Sequence, residues 1–128
     1  MTDRKCIASD RLPKPLGPYS PAVSCNGLLF CSGQIPLDPA TGKLVEGDIQ
    51  AQTRQVFRNL AALLEAGGSG LDLVLKTTVF LQDLNDFAAM NEVYAEVFPE
   101  APPARAAVQV ARLPMDARIE IEAVAAVR

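Results

Sequence analysis

Two short segments near the end of the chain set its architecture: PARAAVQV at residues 103–110 and IEIEAV at residues 119–124. Side chains that alternate in character along a segment are typical of the two faces of a β-strand. In the second segment, one face carries Ile119, Ile121 and Ala123, and the other carries Glu120, Glu122 and Val124. In the first, one face carries Arg105, Ala107 and Gln109, and the other carries Ala106, Val108 and Val110. Both segments are therefore predicted to be strands.

The sequence upstream predicts four more strands and two helices. The strands are expected at residues 5–8, 22–25, 28–32 and 73–81, and Asn26-Gly27 is a strong signal for a hairpin between the second and third. Asp48 can cap a helix whose apolar positions recur three and four residues apart until Gly67-Gly68 ends it. A second helix follows the possible caps Asp83, Asn85 and Asp86, presents Phe87, Met90, Tyr94 and Val97 on its apolar face, and stops before Pro99.

This order of elements predicts an α+β fold with one mixed sheet of about six strands. Right-handed crossover connections would place both helices on the same face of that sheet. The opposite face would then be uncovered, and we expect it to carry Ala107, Ala111, Val124 and Ala126 among a few charges. A half-apolar face open to water usually marks an interface, so self-association is expected to cover it.

The composition favours a single globular domain spanning residues 1–128. Hydrophobic residues make up 49% of the chain and charged residues 21%. The polar segment at residues 1–6 does not resemble a signal peptide, and Cys6, Cys25 and Cys31 form no CxxC pair, so free thiols in the cytoplasm are expected. A net charge of −3, a pI near 4.9 and the lack of basic or long apolar runs argue against nucleic-acid and membrane partners.

The sequence contains no histidine. This excludes Ser-His-Asp and Cys-His catalysis and removes the commonest ligand of catalytic zinc, which three scattered cysteines cannot replace. A site without metal or cofactor is therefore expected, built from carboxylates, Arg, Lys, Tyr, thiols, backbone groups and bound water.

Three positions could carry such chemistry, although spacing alone favours a structural role for each. Arg105 has small neighbours and could pair with a substrate carboxylate, or instead with Glu120 or Glu122. Glu120, if it shares a face with that cation, could orient water or move a proton, or simply face solvent. Ser32-Gly33 lies where a strand meets a loop, and Gly33 allows a ligand to approach its backbone closely.

A series of motifs runs in order through almost the whole chain: Gly17-Pro18-Tyr19-Ser20, Ser32-Gly33-Gln34-Ile35-Pro36, residues 76–81 with 83–87, Pro103-Ala104-Arg105, Arg112-Leu113-Pro114 and Ile119-Glu120-Ile121. Together they resemble the RidA/YjgF family of enamine and imine deaminases. The resemblance implies a chorismate-mutase-like fold and a homotrimer whose sheets form an inner barrel, with ligand sites between subunits. It also implies hydrolysis of 2-aminoacrylate, 2-iminobutanoate and similar products of pyridoxal-phosphate dehydratases to 2-oxo acids and ammonia.

The resemblance assigns roles to individual residues. It implies that Arg105 binds the substrate carboxylate and that Glu120 is associated with the attacking water. The residues it places around the ligand are Tyr19, Ser32, Gly33 through its backbone N–H, and Asn91. Many members have Cys where this chain has Ala107, which would serve equally well if only its backbone carbonyl contributes.

Three other functions stay open at this point. The main alternative is a small-carboxylate-binding regulatory or interaction trimer without turnover, which would use the same Arg105. An endoribonuclease is disfavoured by the acidic pI and the missing histidine. The sequence neither favours nor excludes a chaperone-like holdase.

Overall fold

A computed structural model describes residues 3–128. Met1 and Thr2, which belong to the polar segment discussed above, lie outside the described residues. The strands are β1 (Lys5–Ile7), β2 (Ala22–Cys25), β3 (Leu28–Gln34), β4 (Val74–Leu81), β5 (Ala104–Gln109) and β6 (Ile119–Ala126). The helices are α1 (Ile49–Ala66) and α2 (Phe87–Val97). The predicted order of elements is confirmed.

The six strands form one sheet in the order β1-β2-β3-β6-β4-β5. Strands β4 and β5 are parallel, and the other neighbouring pairs are antiparallel. The predicted α+β class with a mixed sheet is therefore confirmed. The last strand, β6, lies in the interior of the sheet, and β5 lies at an edge, where no strand of residues 3–128 pairs with the outer side of its backbone.

The hydrophobic core lies between the helices and one face of the sheet. The predicted apolar positions of α1 are all buried: Ile49, Thr53, Val56, Leu60 and Leu63. They pack against buried residues of the sheet, among them Leu29, Val79, Ile119 and Ile121. Helix α2 buries Met90 and Tyr94 as predicted, but Phe87 and Val97 are only half-buried. Within residues 3–128, neither helix combines the length and the apolar character that crossing a membrane requires.

The helices begin differently, although the sequence offers an aspartate at each start. Asp48 caps α1, because its Oδ1 accepts a hydrogen bond from the backbone N–H of Ala51 at 2.9 Å. Asp86 precedes α2 without a capping bond from its side chain, and Asp83 instead accepts from Asn85 in a short 3-10 turn. Only the first cap therefore acts as the sequence predicts.

The second face of the sheet, here called the open face, is only partly covered by the described residues, because Phe80 at one end packs against a small second cluster of Ile35, Leu37, Leu113 and Ala117. Phe30 is 48% exposed there and Val108 is 44% exposed. Strand register places Val23, Lys76, Thr78, Phe80, Ala106, Glu120, Glu122 and Val124 on the same face. The prediction for Val124 and Ala126 agrees with this, but the prediction for Ala107 is wrong, because Ala107 lies opposite buried Val79 and packs against the core. Ala111 follows the end of β5.

Candidate active site

One cleft brings together four of the predicted site residues: Tyr19, Ser32, Gly33 and Glu120. We call it the acid cleft. Its other lining residues are Leu16, Ile35, Pro114 and Glu122. The proline-rich loop before β2, the end of β3 and the start of β6 therefore meet at this point, so that two carboxyl groups, one phenol and a glycine backbone share the same space.

A β-bulge creates the floor of the acid cleft. Cys31 lies opposite Ala123 and Gln34 lies opposite Ile121, so Ser32 and Gly33 together face the single residue Glu122. A bulge leaves one residue outside the regular ladder of hydrogen bonds, which frees a backbone group for a ligand. The sequence analysis ended the strand at Ser32, whereas the strand continues through the bulge to Gln34.

Gly33 is required at the bulge because the side chain of Glu120 lies against it. A Cβ added at Gly33 would lie 2.7 Å from Cδ of Glu120 and would collide with its Oε2. A side chain at position 33 and the observed position of the carboxyl group are therefore incompatible. The absence of a side chain at position 33 lets the carboxyl group of Glu120 lie against the backbone of the bulge.

Glu120 lies in surroundings that favour its protonated form. Burial raises the pKa of its carboxyl group, and the negative charge of Glu122 raises it further. Both effects penalise the ionised form, the first by removing water and the second by repulsion. A carboxyl group in this state can hold a proton closer to neutral pH than an exposed glutamate can.

Ser32 holds the proline-rich loop against the sheet, and Tyr19 braces the loop internally. The hydroxyl of Ser32 donates to the carbonyl of Ser20 at 2.7 Å, and its backbone N–H donates to the carbonyl of Pro21 at 2.9 Å. The phenol oxygen of Tyr19 accepts from the backbone N–H of Leu16 at 3.2 Å. Tyr19 is 48% exposed, so its O–H can still donate to a ligand in the cleft.

Asn91 and Arg105, two of the other predicted site residues, form a second group with Phe87 and Tyr94, here called the arginine platform. Arg105 Nη1 donates to Oδ1 of Asn91 at 2.7 Å. The guanidinium carbon lies 4.6 Å from the ring centroid of Tyr94 and 5.3 Å from that of Phe87. A guanidinium above aromatic rings is stabilised by cation–π attraction. The phenol of Tyr94 lies 2.7 Å from Oγ1 of buried Thr77, which holds the ring in place.

Arg105 has no carboxylate partner in the described part of the chain, because none of the ion pairs found in residues 3–128 includes it. The alternative pairing with Glu120 or Glu122 is therefore wrong for the single chain. Ala107 follows Arg105 on the same face of β5 and is half-buried. Its small side chain leaves space beside the guanidinium for a ligand.

The acid cleft and the arginine platform lie on opposite faces of the sheet. Arg105 is opposite Thr77, which is buried beneath the helices. Glu120 is opposite Phe80, three residues further along β4, and therefore points to the open face. The condition under which Glu120 could act with the cation, a shared face of the sheet, is not met within one chain, because the alternation of β4 separates them.

The sequence analysis missed some residues of both groups. It assigned Phe87 and Tyr94 to the core, although Phe87, Asn91 and Tyr94 recur four and three residues apart and so share one face of α2. It also missed Leu16, Ile35, Pro114 and Glu122 of the acid cleft, which the chain brings together only by folding. Within residues 3–128, no three His, Cys, Asp or Glu side chains are grouped so that they could hold a metal ion.

Comparison with known proteins places this geometry in a family. Residues 9–127 match the family model described as Endoribonuclease L-PSP. A RutC family protein of Pyrococcus horikoshii is 57% identical over 122 residues, which are 95% of this chain and 97% of that protein. A Mus musculus protein named 2-iminobutanoate/2-iminopropanoate deaminase is 46% identical over 122 residues, 95% of this chain and 90% of its own length.

Solved structures agree with the sequence matches. The crystal structure of RidA from an Antarctic Psychrobacter species superimposes with a TM-score of 0.92 at 45% identity, covering 96% of this chain and 99% of that one. At this identity the likeness extends beyond the fold to the family.

Proposed function

The chain belongs to the RidA/YjgF family, and on that premise we propose that it is a hydrolytic deaminase acting on 2-aminoacrylate, 2-iminobutanoate and similar enamines and imines. The proposed products are a 2-oxo acid and ammonia. The similarity to the Mus musculus protein named 2-iminobutanoate/2-iminopropanoate deaminase supports this class of reaction.

The observation that carries the proposal is the state of Arg105. Its guanidinium is held by Asn91 and by the ring of Tyr94, and it has no anionic partner among the described residues. Burying half of a cation without a counter-ion costs free energy, and an anionic ligand that pairs with the cation offsets this cost. The planar guanidinium matches a carboxylate in a bidentate manner, and the proposed substrates all carry one.

The two groups of residues must reach the same small molecule. In a 2-imino acid, the carboxylate is bonded directly to the carbon that water attacks, so Arg105 and Glu120 must act within a few ångströms of each other. Because they lie on opposite faces of one sheet, we propose that the arginine platform of one subunit meets the acid cleft of the next. A homotrimer whose open faces form an inner barrel would create this arrangement and bury Phe30 and Val108.

The proposed chemistry follows from these positions. Arg105 binds the carboxylate and fixes the orientation of the substrate, and the backbone of Gly33 donates a hydrogen bond to it. Tyr19 and Ser32 line the site, Asn91 orients Arg105, and Ala107 provides space and a backbone carbonyl. Glu120 orients the attacking water and moves protons while ammonia leaves. An imine carbon is already electrophilic, so positioning supplies much of the acceleration.

The test measures release of 2-oxo acid when the protein is added to a threonine or serine dehydratase with its substrate. Wild-type protein is expected to accelerate this release. Arg105→Ala should lower kcat/KM by about a hundredfold to a thousandfold, because charge-assisted hydrogen bonds to the carboxylate are lost, each of which contributes about 1.5–3 kcal/mol. Arg105→Lys should recover only part of the loss, since an ammonium cannot form the bidentate pair.

A matched control is Arg54→Ala, which removes another arginine, on the outer surface of α1 where it pairs with Glu96 at 3.4 Å. That variant should behave like the wild type. Wild-type protein that binds 2-oxobutanoate but does not speed its release would refute the enzyme and leave the carboxylate-binding trimer. Ribonuclease activity that persists in Arg105→Ala through further purification would favour the endoribonuclease instead.

A further inference from the structure

The acid cleft contains a second carboxyl group, Glu122, for which the proposed function has no role. It lies two residues beyond Glu120 on β6 and lines the same cleft. Residues two apart on a strand point to the same face and have Cα atoms about 7 Å apart. The sequence therefore places two glutamates side by side, with Glu120 half-buried and Glu122 exposed.

Within one subunit few charged groups surround this pair, and in the proposed trimer the Arg105 guanidinium of the next subunit also approaches the cleft, where its positive charge opposes the effect of Glu122 until a substrate carboxylate neutralises it. Lys76 of β4 lies on the open face opposite Val124, and Arg118 immediately precedes β6. Neither forms an ion pair with Glu120 or Glu122 among residues 3–128. Strand β3 contributes no charged residue, and Tyr19 is the titratable residue of the proline-rich loop that lines the cleft.

The loop that carries Pro114 into the cleft brings one further pair of charges. Arg112 and Asp116 in that loop neutralise each other at 2.8 Å. The negative charge that acts on Glu120 from within the cleft is therefore that of Glu122.

We propose that Glu122 is a positioning residue of this site, whose charge adds to the burial of Glu120 in favouring its protonated form, so that Glu120 acts as the proton donor in the deamination. The inference rests on the proposed function and adds the direction in which the proton moves. Two like charges at this distance disfavour joint ionisation, and the more buried group takes the proton. The raised pKa of Glu120, caused by burial and then by Glu122, agrees with this geometry.

With Glu120 as the proton donor, every proton that is transferred in the reaction is accounted for. For 2-aminoacrylate, the O–H bond of Glu120 breaks and a C–H bond forms at the terminal carbon of the enamine, whose nitrogen supplies the electron pair and becomes an iminium. Water then adds to the iminium carbon and returns a proton to Glu120. Glu120 next protonates the amine, ammonia leaves with the C–N electron pair, and the remaining hydroxyl proton goes back to Glu120 as the carbonyl forms.

The experiment compares wild type, Glu122→Gln and Glu122→Asp in two measurements. The first follows the carboxyl carbon of Glu120 by NMR as pH is varied, without substrate. We expect its titration midpoint to move to lower pH in Glu122→Gln and to stay near the wild-type value in Glu122→Asp, which retains the charge. The second is the pH profile of kcat, which should fall as pH rises and Glu120 loses its proton.

In the kinetic measurement, we expect Glu122→Gln to lower kcat about threefold on the alkaline side of the pH profile and to change it little on the acid side. A threefold effect corresponds to about the repulsion between two partly solvated charges. Glu65→Gln is the matched control, since Glu65 is an exposed glutamate that pairs with Arg11 away from the cleft. An unmoved Glu120 midpoint in Glu122→Gln, or an equal displacement in Glu122→Asp, would overturn the inference. A displaced midpoint in a protein without deaminase activity would uphold the coupling and refute the proposed function.

Discussion

At the scale of single residues, the candidate site depends on Arg105 on one face of the sheet and on Glu120, beside Gly33, on the other. Sequence motifs identify Arg105, Glu120 and Gly33 as site residues. The motifs do not predict that Arg105 and Glu120 lie on separate faces of the sheet. Alternation along β5 and β6 fixes which residues of one strand share a face, but it does not fix which faces of two strands coincide. That requires the register with β4, which depends on contacts between residues distant in the chain.

Gly33→Ala tests the contact between the bulge and the acid. The added Cβ would occupy the space of the Glu120 carboxyl group, and that flexible side chain would turn away towards solvent. We expect the protein to fold and kcat/KM for 2-iminobutanoate to fall by about tenfold or more, because a misplaced proton donor loses general acid–base catalysis. Gly17→Ala is the control, since its new Cβ would meet Tyr19 at an ordinary 3.8 Å. Equal kinetics in the two variants would contradict the geometry.

At the scale of elements, the sequence predicted the helices and strands well, because they depend on local patterns. The buried positions of α1 follow directly from the spacing of Ile49, Val56 and Leu60. The predicted boundaries of the helices and strands were less accurate where contacts with distant residues extend an element or override a local sequence signal. The bulge that carries β3 through Gly33 requires β6 as its partner, and the choice among Asp83, Asn85 and Asp86 depends on the 3-10 turn that precedes α2.

The two helix starts give a prediction for stability. Asp48→Ala should lower the free energy of unfolding by about 1 kcal/mol, since it removes the capping hydrogen bond to Ala51. Asp86→Ala should change it much less, because the Asp86 side chain makes no capping bond. Urea unfolding of both variants at one fixed protein concentration measures the difference. An equal loss of stability in both variants would contradict the conclusion that Asp48 caps its helix and Asp86 does not.

At the scale of the whole molecule, the division of the site between two sheet faces predicts complementation. Arg105→Ala retains an intact acid cleft, and Glu120→Gln retains an intact arginine platform. If the site forms between neighbouring subunits, about a quarter of the interfaces in randomly mixed trimers of the two variants combine both intact halves. Co-refolding equal amounts should therefore restore deaminase activity to about a quarter of the wild-type value. Each variant refolded alone is the control, and a mixture no more active than its parents would exclude a shared site.

The packing of Arg105 on the rings of α2 has a consequence for the strength of ligand binding. A long, flexible side chain normally loses rotamer freedom when it grips an anion, and that loss weakens binding. Here Asn91 and Tyr94 have already restricted the guanidinium during folding. A substrate of the proposed class would therefore meet a receptor that is already ordered, and little of the association free energy would be spent on immobilising the protein.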